Sequence, residues 1–250
     1  MDHYNINARR LSLDRISNLP LPIIETILSL LPTKVAVRTS ILSREWRYHW
    51  TKIPELFFDE DAFKGSSDQL SILEQTFYYS CPCRRCNFFK AIYQVLLLHK
   101  GPLLEFSLIT SADMICDELD LIISHLSRRN TVKIFSLDLN EYSKYRLPLS
   151  FFSLNQLTNL DLHKVCIHHP PTFNGFGSLT SLYLHNIKIS PKTLVHLVSN
   201  CPVLKSLTLF IDEDNTLGNG NDVSSSFSDL IKCLPVIECL VTSLWVSHVS

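Results

Sequence analysis

The chain has 250 residues, a formal net charge of -1, 46% hydrophobic residues and 19% charged residues. That apolar share supports a sizeable core in one large or two modest domains and excludes wholesale disorder. The near-neutral balance leaves no electrostatic footprint for nucleic acid or an acidic membrane, and six glycines leave little material for a phosphate-cradling loop.

Residues 1–13 read as a loose polar tail without the apolar run of a secretory signal. The stretch LPLPIIETILSLLPTKVAVRTSILSREWRYHW, Leu19 to Trp50, then reads as three short helices. The first is predicted from about Pro22 to Leu31. Ile23, Ile27 and Leu31 fall on one stripe and Ile24 and Leu28 on the next, an arc wider than one packing face requires. Thr33 is predicted to cap a second helix bearing Val35, Val37 and Ile41. Ser43 is predicted to cap a third, with Trp46 and Trp50 stacked at i, i+4. Fewer than about 50 residues rarely form a self-sufficient core, so this much bare aliphatic surface calls for a partner.

Residues 61–100 read as a linker followed by a helical segment, with Phe88, Ile92, Val95, Leu96 and His99 on one helical face. Lys100-Gly101-Pro102 marks its end. From residue 101 a repeat takes over. LTNLDLHKV places Leu157, Leu160, Leu162 and Val165 at the spacing L-x-x-L-x-L-x-x-apolar, and LTSLYLHNI repeats it with Leu179, Leu182, Leu184 and Ile187. LKSLTLFID repeats it with Leu204, Leu207 and Leu209, and looser copies lie around Phe106, Phe135 and Ile237. Steps of 22 and 25 residues are those of leucine-rich repeats. Each Leu-x-Leu is a short strand with its leucines inward, and the connecting segments are predicted to return as helices, as in DELDLIISHLSRR and SPKTLVHLVSN, the latter capped by Ser190 with Pro191 at its first position. No single unit buries its apolar face alone, so the units stack.

Asp14-Arg15-Ile16, Leu19-Pro20, Ile23-Ile24, Ile27-Leu28, Leu31-Pro32, Ala36-Val37-Arg38, Ser40, Leu42-Ser43 and Trp46 to Trp50 together resemble an F-box, in the version typical of plant F-box proteins with leucine-rich repeats and an FBD region. The repeats and LLLHKGPLLEFSL share that resemblance. It implies an α/β fold: a three-helix F-box at 14–60, then at 101–250 a solenoid of short parallel strands and outer helices, shortened and without the FBD region. It also implies that the F-box docks on a Skp-type adaptor, and through it on a cullin–RING (SCF) ubiquitin ligase, through Leu19, Pro20, Ile23, Ile24, Ile27, Leu31, Val37, Leu42 and Trp46. The repeats would hold a protein substrate in the cytoplasm or nucleus. The residues flanking the strand leucines, Ser136, Asp138, Asp161, His163, Tyr183, His185, Thr208 and Phe210, are expected on the concave substrate face. The alternative is a repeat scaffold without ligase function. The chain departs from the family at Leu21-Pro22, where an acidic or polar residue is common.

No nucleophile–base pair or metalloprotease motif is present, so a non-catalytic subunit without cofactors is expected. Cys81, Cys83 and Cys86 are one short of a four-ligand zinc set, with His99 the one conceivable fourth, and no metal is assigned. Lys34, Arg38, Arg44 and Arg47 add basic charge to the three-helix stretch, but Trp46 and Trp50 stand where base-reading polar residues are expected. No apolar run approaches the roughly 20 residues of a membrane span.

Overall fold

A short strand with two apolar side chains on one side pairs best with strands of the same pattern, and the described residues stack such strands in succession. The structure, a computed structural model, describes residues 19–41, 46–64, 84–110, 117–139, 145–168, 173–212 and 238–245. The N-terminal tail, Leu42, Ser43, Cys81, Cys83 and His169 lie outside the described residues, as does most of the predicted linker.

Helix α1 (Leu21–Ser29) and α2 (Thr33–Arg38) are followed by a 3-10 segment, Trp46–Lys52. Strand β1 (Glu55–Asp59), α3 (Glu60–Lys64) and α4 (Arg84–Leu98) come next. Then follow β2 (Glu105–Ile109), α5 (Asp117–Arg129), β3 (Ile134–Asp138), β4 (Asn159–His163), β5 (Ser181–His185), α6 (Pro191–Ser199), β6 (Ser206–Asp212) and β7 (Cys239–Trp245). The seven strands form one parallel sheet in sequence order. It begins at Glu55, ahead of the Leu-rich repeats, because Leu56 and Phe58 occupy the inward positions that Phe106 and Leu108 fill in β2.

The carbonyl just before each strand ties one layer to the next. Those of Pro54, Leu104, Lys133, Thr158, Thr180 and Lys205 each accept two N–H groups from the layer that follows. Two inward rows run behind the sheet: Leu56, Phe106, Phe135, Leu160, Leu182 and Leu207, and Phe58, Leu108, Leu137, Leu162, Leu184 and Leu209, all buried. Phenylalanine fills the wider gaps, Phe135 meeting Phe151 at 5.3 Å and Phe173 meeting Phe176 at 4.9 Å between ring centroids, separations at which tilted rings attract.

The returns differ from expectation. α5 and α6 are helices, with Leu119, Ile122, Ile123 and Leu126, and Leu194, Leu197 and Val198, turned inward. Ser190 caps α6 by accepting from the Thr193 N–H at 3.1 Å. Between β3 and β4 the return is only a 3-10 segment, Leu149–Ser153. Between β4 and β5 no helix occurs among the described residues. That stretch carries Pro170 and Pro171, and proline in a helix interior costs about 3 kcal/mol. Lys164 and Asn186, each one residue past its strand, turn the chain in the left-handed region at φ 60° and 50°.

The helical region closes the first edge of the sheet. Thr33 does not cap α2, whose N-cap is Pro32; its Oγ1 instead accepts the Phe57 N–H of β1 at 2.8 Å, so an edge amide is satisfied from outside the sheet. His99 fastens the same corner. It is buried, with Nε2 2.7 Å from the Ile53 carbonyl and Nδ1 3.3 Å from the Arg129 guanidinium, which also donates to the Gly101 carbonyl. An acceptor at Nε2 and a donor at Nδ1 specify the neutral tautomer protonated at Nε2.

Burial, followed by the charges of Arg129 and His125, holds the His99 pKa below the ordinary 6.5 despite the Ile53 hydrogen bond. The unfolded chain therefore binds this proton more readily. The stability that His99 contributes is whole above about pH 6.5 and is lost as pH falls through that value toward the lowered pKa. Replacing His99 by Gln should lower the urea midpoint at about pH 7.5 and reduce the loss of stability between about pH 7.5 and about pH 5.5. A second variant reports on the stacked rows: Leu162→Ala, at a fully buried position, should cost about 2–5 kcal/mol in the same measurement.

Candidate functional site: two outward surfaces

Helix α1 begins at Leu21 because Pro20 is pre-set for a helix start and Pro22 sits in the first turn, where its missing N–H leaves nothing unsatisfied. No acidic residue stands in that turn. The helix is apolar on two sides. Ile24 (3% exposed) and Leu28 (0%) point into the core, while Ile23 (46%) and Leu30 (80%) face outward. Ile27, Leu19 and Leu31 lie at the margin, partly buried against the core. Pro20 is exposed. Val35, Ile41 and Tyr48 carry the exposed apolar surface beyond α1.

The nine residues assigned to adaptor contact thus divide. Leu19, Pro20, Ile23, Ile27 and Leu31 are at or near the surface. Ile24, Val37 and Trp46 are buried and hold the helices together, so in this structure they support the outer surface without forming it. Leu42 lies outside the described residues. Sequence reasoning missed Leu30, Val35, Ile41 and Tyr48. Its usable signal was the 3.6-residue period: once Ile24 and Leu28 are inward, Ile23 and Leu30 lie off that face.

A small apolar cavity of about 80 Å³ lies at the seam of this region and the sheet, lined by Val37, Phe57, Phe63, Phe88 and Val95 among others. The Lys34 ammonium lies 4.7 Å from the Phe63 ring centroid and donates to the Phe63 carbonyl at 3.1 Å.

The second surface is the solvent side of the sheet. All eight residues expected there are half-buried, alternating with the leucines. Register brings them side by side: Ser136, Asp161, Tyr183 and Thr208 form one row, and Asp138, His163, His185 and Phe210 the next. His163 Nε2 is 2.9 Å from Asp161 Oδ1, and His163 Nδ1 is 3.9 Å from Asp138 Oδ2. The His163 ring stacks on Tyr183 at 5.2 Å between centroids, and His185 and Phe210 are 5.5 Å apart. Hydrogen bonding to Asp161, with the charges of Asp161 and Asp138 behind it, raises the His163 pKa above 6.5 against the opposing effect of burial. Burial and then Asp161 raise the Tyr183 phenol, so it remains a neutral donor.

Among the described residues no group of three or more His, Cys, Asp or Glu is placed to hold a metal ion. Both His99 nitrogens are engaged by protein groups, so His99 is not available to complete a cysteine site.

Comparison with known proteins identifies the segments that carry these surfaces. Residues 16–58 match the F-box domain model, and residues 119–249, over half the chain, match the model for the leucine-rich repeats of "FBD-associated F-box protein At5g56370". The chain is 38% identical to the F-box/FBD/LRR-repeat protein At1g13570 of Arabidopsis thaliana over 78% of its own length and 44% of that protein. It is 29% identical to the F-box/FBD/LRR-repeat protein At1g51370 of the same plant over 93% of its own length and 50% of that protein. It therefore spans about half the length of the curated relatives it matches.

His163 offers a direct check on the outer rows. Its imidazole should titrate by NMR with a midpoint above 6.5, and Asp161→Asn should bring that midpoint down. An unchanged midpoint in the variant would contradict the Asp161 contact.

Proposed function

The chain belongs to the plant F-box/FBD/LRR family, and from that premise we propose that it is the target-holding subunit of an SCF ubiquitin ligase. The outer face of α1 and its neighbours docks on a Skp-type adaptor, and the outward rows of the sheet hold a protein destined for ubiquitination. The role is positional. A separate enzyme supplies the chemistry, and the gain comes from holding the target lysine near it.

The observation that carries the reading is the division of α1. One aliphatic stripe satisfies the core, so the other is not needed for folding. Leaving side chains such as Ile23 and Leu30 in water forgoes up to about 1.5–3 kcal/mol each, a cost that a docking partner removes. Leu19, Pro20, Ile27 and Leu31 border that stripe and complete the proposed contact. The link from α2 through Thr33 to β1, and from α4 and α5 through His99 to the same corner, supports a fixed geometry between adaptor and target. The proposed setting is the cytoplasm or the nucleus.

Co-expression with a Skp-type adaptor tests the reading. The native chain should co-purify with it. Ile23→Asp combined with Leu30→Asp should abolish co-purification while leaving the unfolding free energy from urea titration within about 1 kcal/mol, since both positions are exposed. Ile24→Ala should instead lower stability by about 2–5 kcal/mol. A folded native chain that never retains adaptor would leave the family scaffold without its ligase role.

A further inference from the structure

The solvent side of the sheet has a polarity that adaptor docking does not use. Three register rows face outward. Across β1 to β4 they carry Glu55, Asp59, Glu105, Asp138 and Asp161. Across β4 to β6 they carry His163, Tyr183, His185 and Phe210. Among the described residues no Lys or Arg stands in any of these rows. His163 lies 2.9 Å from Asp161 Oδ1 within the rows, and Lys164 at the rim lies 3.8 Å from Asp138 Oδ1.

Glu55 and Glu105 are directly opposed on neighbouring strands. Like charges so placed destabilise a sheet, and Glu55, after burial, helps push the Glu105 carboxyl up. The free chain thus holds a self-repelling glutamate pair on the same face as a continuous surface of aromatic rings. A cation relieves the first and is attracted by the second.

We propose that this face binds an extended, arginine-bearing stretch of the target protein, an inference that rests on the reading of the repeats as the target-holding surface. Arginine fits better than lysine. Its planar fork meets a carboxylate through two parallel hydrogen bonds and also lies flat on aromatic faces. Asp161 and Asp138 border the stacked His163 and Tyr183 rings, so one guanidinium reaches a carboxylate and a ring together. The second site is the Glu55–Glu105 pair. Strands lie about 4.8 Å apart and rise about 3.3 Å per residue, and Asp138 and Asp161 stand on average about three register positions further along than Glu55 and Glu105, so the two sites are separated by about 14 Å. In an extended strand residues i and i+4 share a side roughly 13 Å apart. The matching motif is two arginines four positions apart in an extended stretch.

The probe is a labelled peptide with arginines at i and i+4 in an otherwise uncharged, extended sequence of leucine and threonine residues, titrated by fluorescence anisotropy into the full chain. Its lysine and glutamate versions serve as comparisons. The arginine peptide should bind at least about tenfold more tightly than the glutamate peptide and several-fold more tightly than the lysine peptide. Asp138→Asn with Asp161→Asn, checked by urea midpoint for retained folding, should weaken it about tenfold, and Tyr183→Ala should weaken it as well. Asp117→Asn with Glu118→Gln, exposed at the start of α5 behind the sheet, should leave binding unchanged.

Equal binding of the arginine and glutamate peptides, a lysine peptide as good as the arginine one, or an equal loss in the α5 variant would overturn the proposal. Adaptor co-purification of the same proteins separates the two readings. Lost peptide binding with adaptor retained sinks this inference alone. Selective peptide binding without adaptor upholds it and removes only the ligase role.

Discussion

A five-residue strand with two leucines on one side has no stable existence by itself, and the requirement to bury that pair governs everything else in the molecule. Side chains alternate along a strand with a period of two. Once Leu160 and Leu162 are inward, Asn159, Asp161 and His163 must be outward, and the next layer repeats the arrangement with Ser181, Tyr183 and His185. The paired N–H groups reaching each preceding carbonyl lock this register. A slip of one residue would send aspartate and histidine into the core and leucine into water. The outward rows are therefore fixed by the apolar rows behind them, and residues distant in sequence become neighbours on an open face.

Such a stack has a first edge that needs an ending, and here the helical region supplies it. Thr33 gives up helix capping to satisfy a strand amide. His99 holds the Ile53 carbonyl and the Arg129 side chain at once, tying the segment before β1 to the helix that follows β2. Two buried polar contacts do what further hydrophobic area would not: they specify one orientation, because each group has a single partner geometry that avoids an unsatisfied buried atom. The same fastening makes the outer stripe of α1 and the outer rows of the sheet parts of one body, which is what a positional role demands.

Much of this was legible in the sequence, for identifiable reasons. The repeat spacing gave the parallel strands and their inward leucines, and Ser190-Pro191 gave the start of α6, because those signals are local. The first strand was less visible, since Leu56 and Phe58 sit in an acidic, aromatic stretch without the flanking leucines of the later copies. The helical returns were over-read: between β4 and β5, where the sequence carries Pro170 and Pro171, no helix occurs among the described residues, and Phe173 and Phe176 fill that layer. On α1 both stripes are isoleucine and leucine, so composition could not tell core from surface. Sorting Ile24 from Ile23 required knowing where the sheet lay. The outward positions of Asp161 and His163 followed from alternation, but the opposition of Glu55 and Glu105 depends on a register spanning fifty positions.

Where the chain breaks its own local rules is informative about function. α5 follows them: acidic residues at its start, Arg128 and Arg129 at its end, four apolar side chains inward, all favourable to an isolated fold. α1 breaks them, with no first-turn acid and aliphatic side chains on both faces. β1 and β2 break them too, setting two glutamates side by side where threonine or an opposite charge would stabilise the pair. These departures lie on the two surfaces that face outward, and none is needed to complete the core. Departures confined to such surfaces are the pattern expected when a partner compensates them. The kind of departure then indicates the kind of partner: unneeded aliphatic surface on α1 suits an apolar groove, while two opposed glutamates on the same face as stacked rings suit a cationic chain.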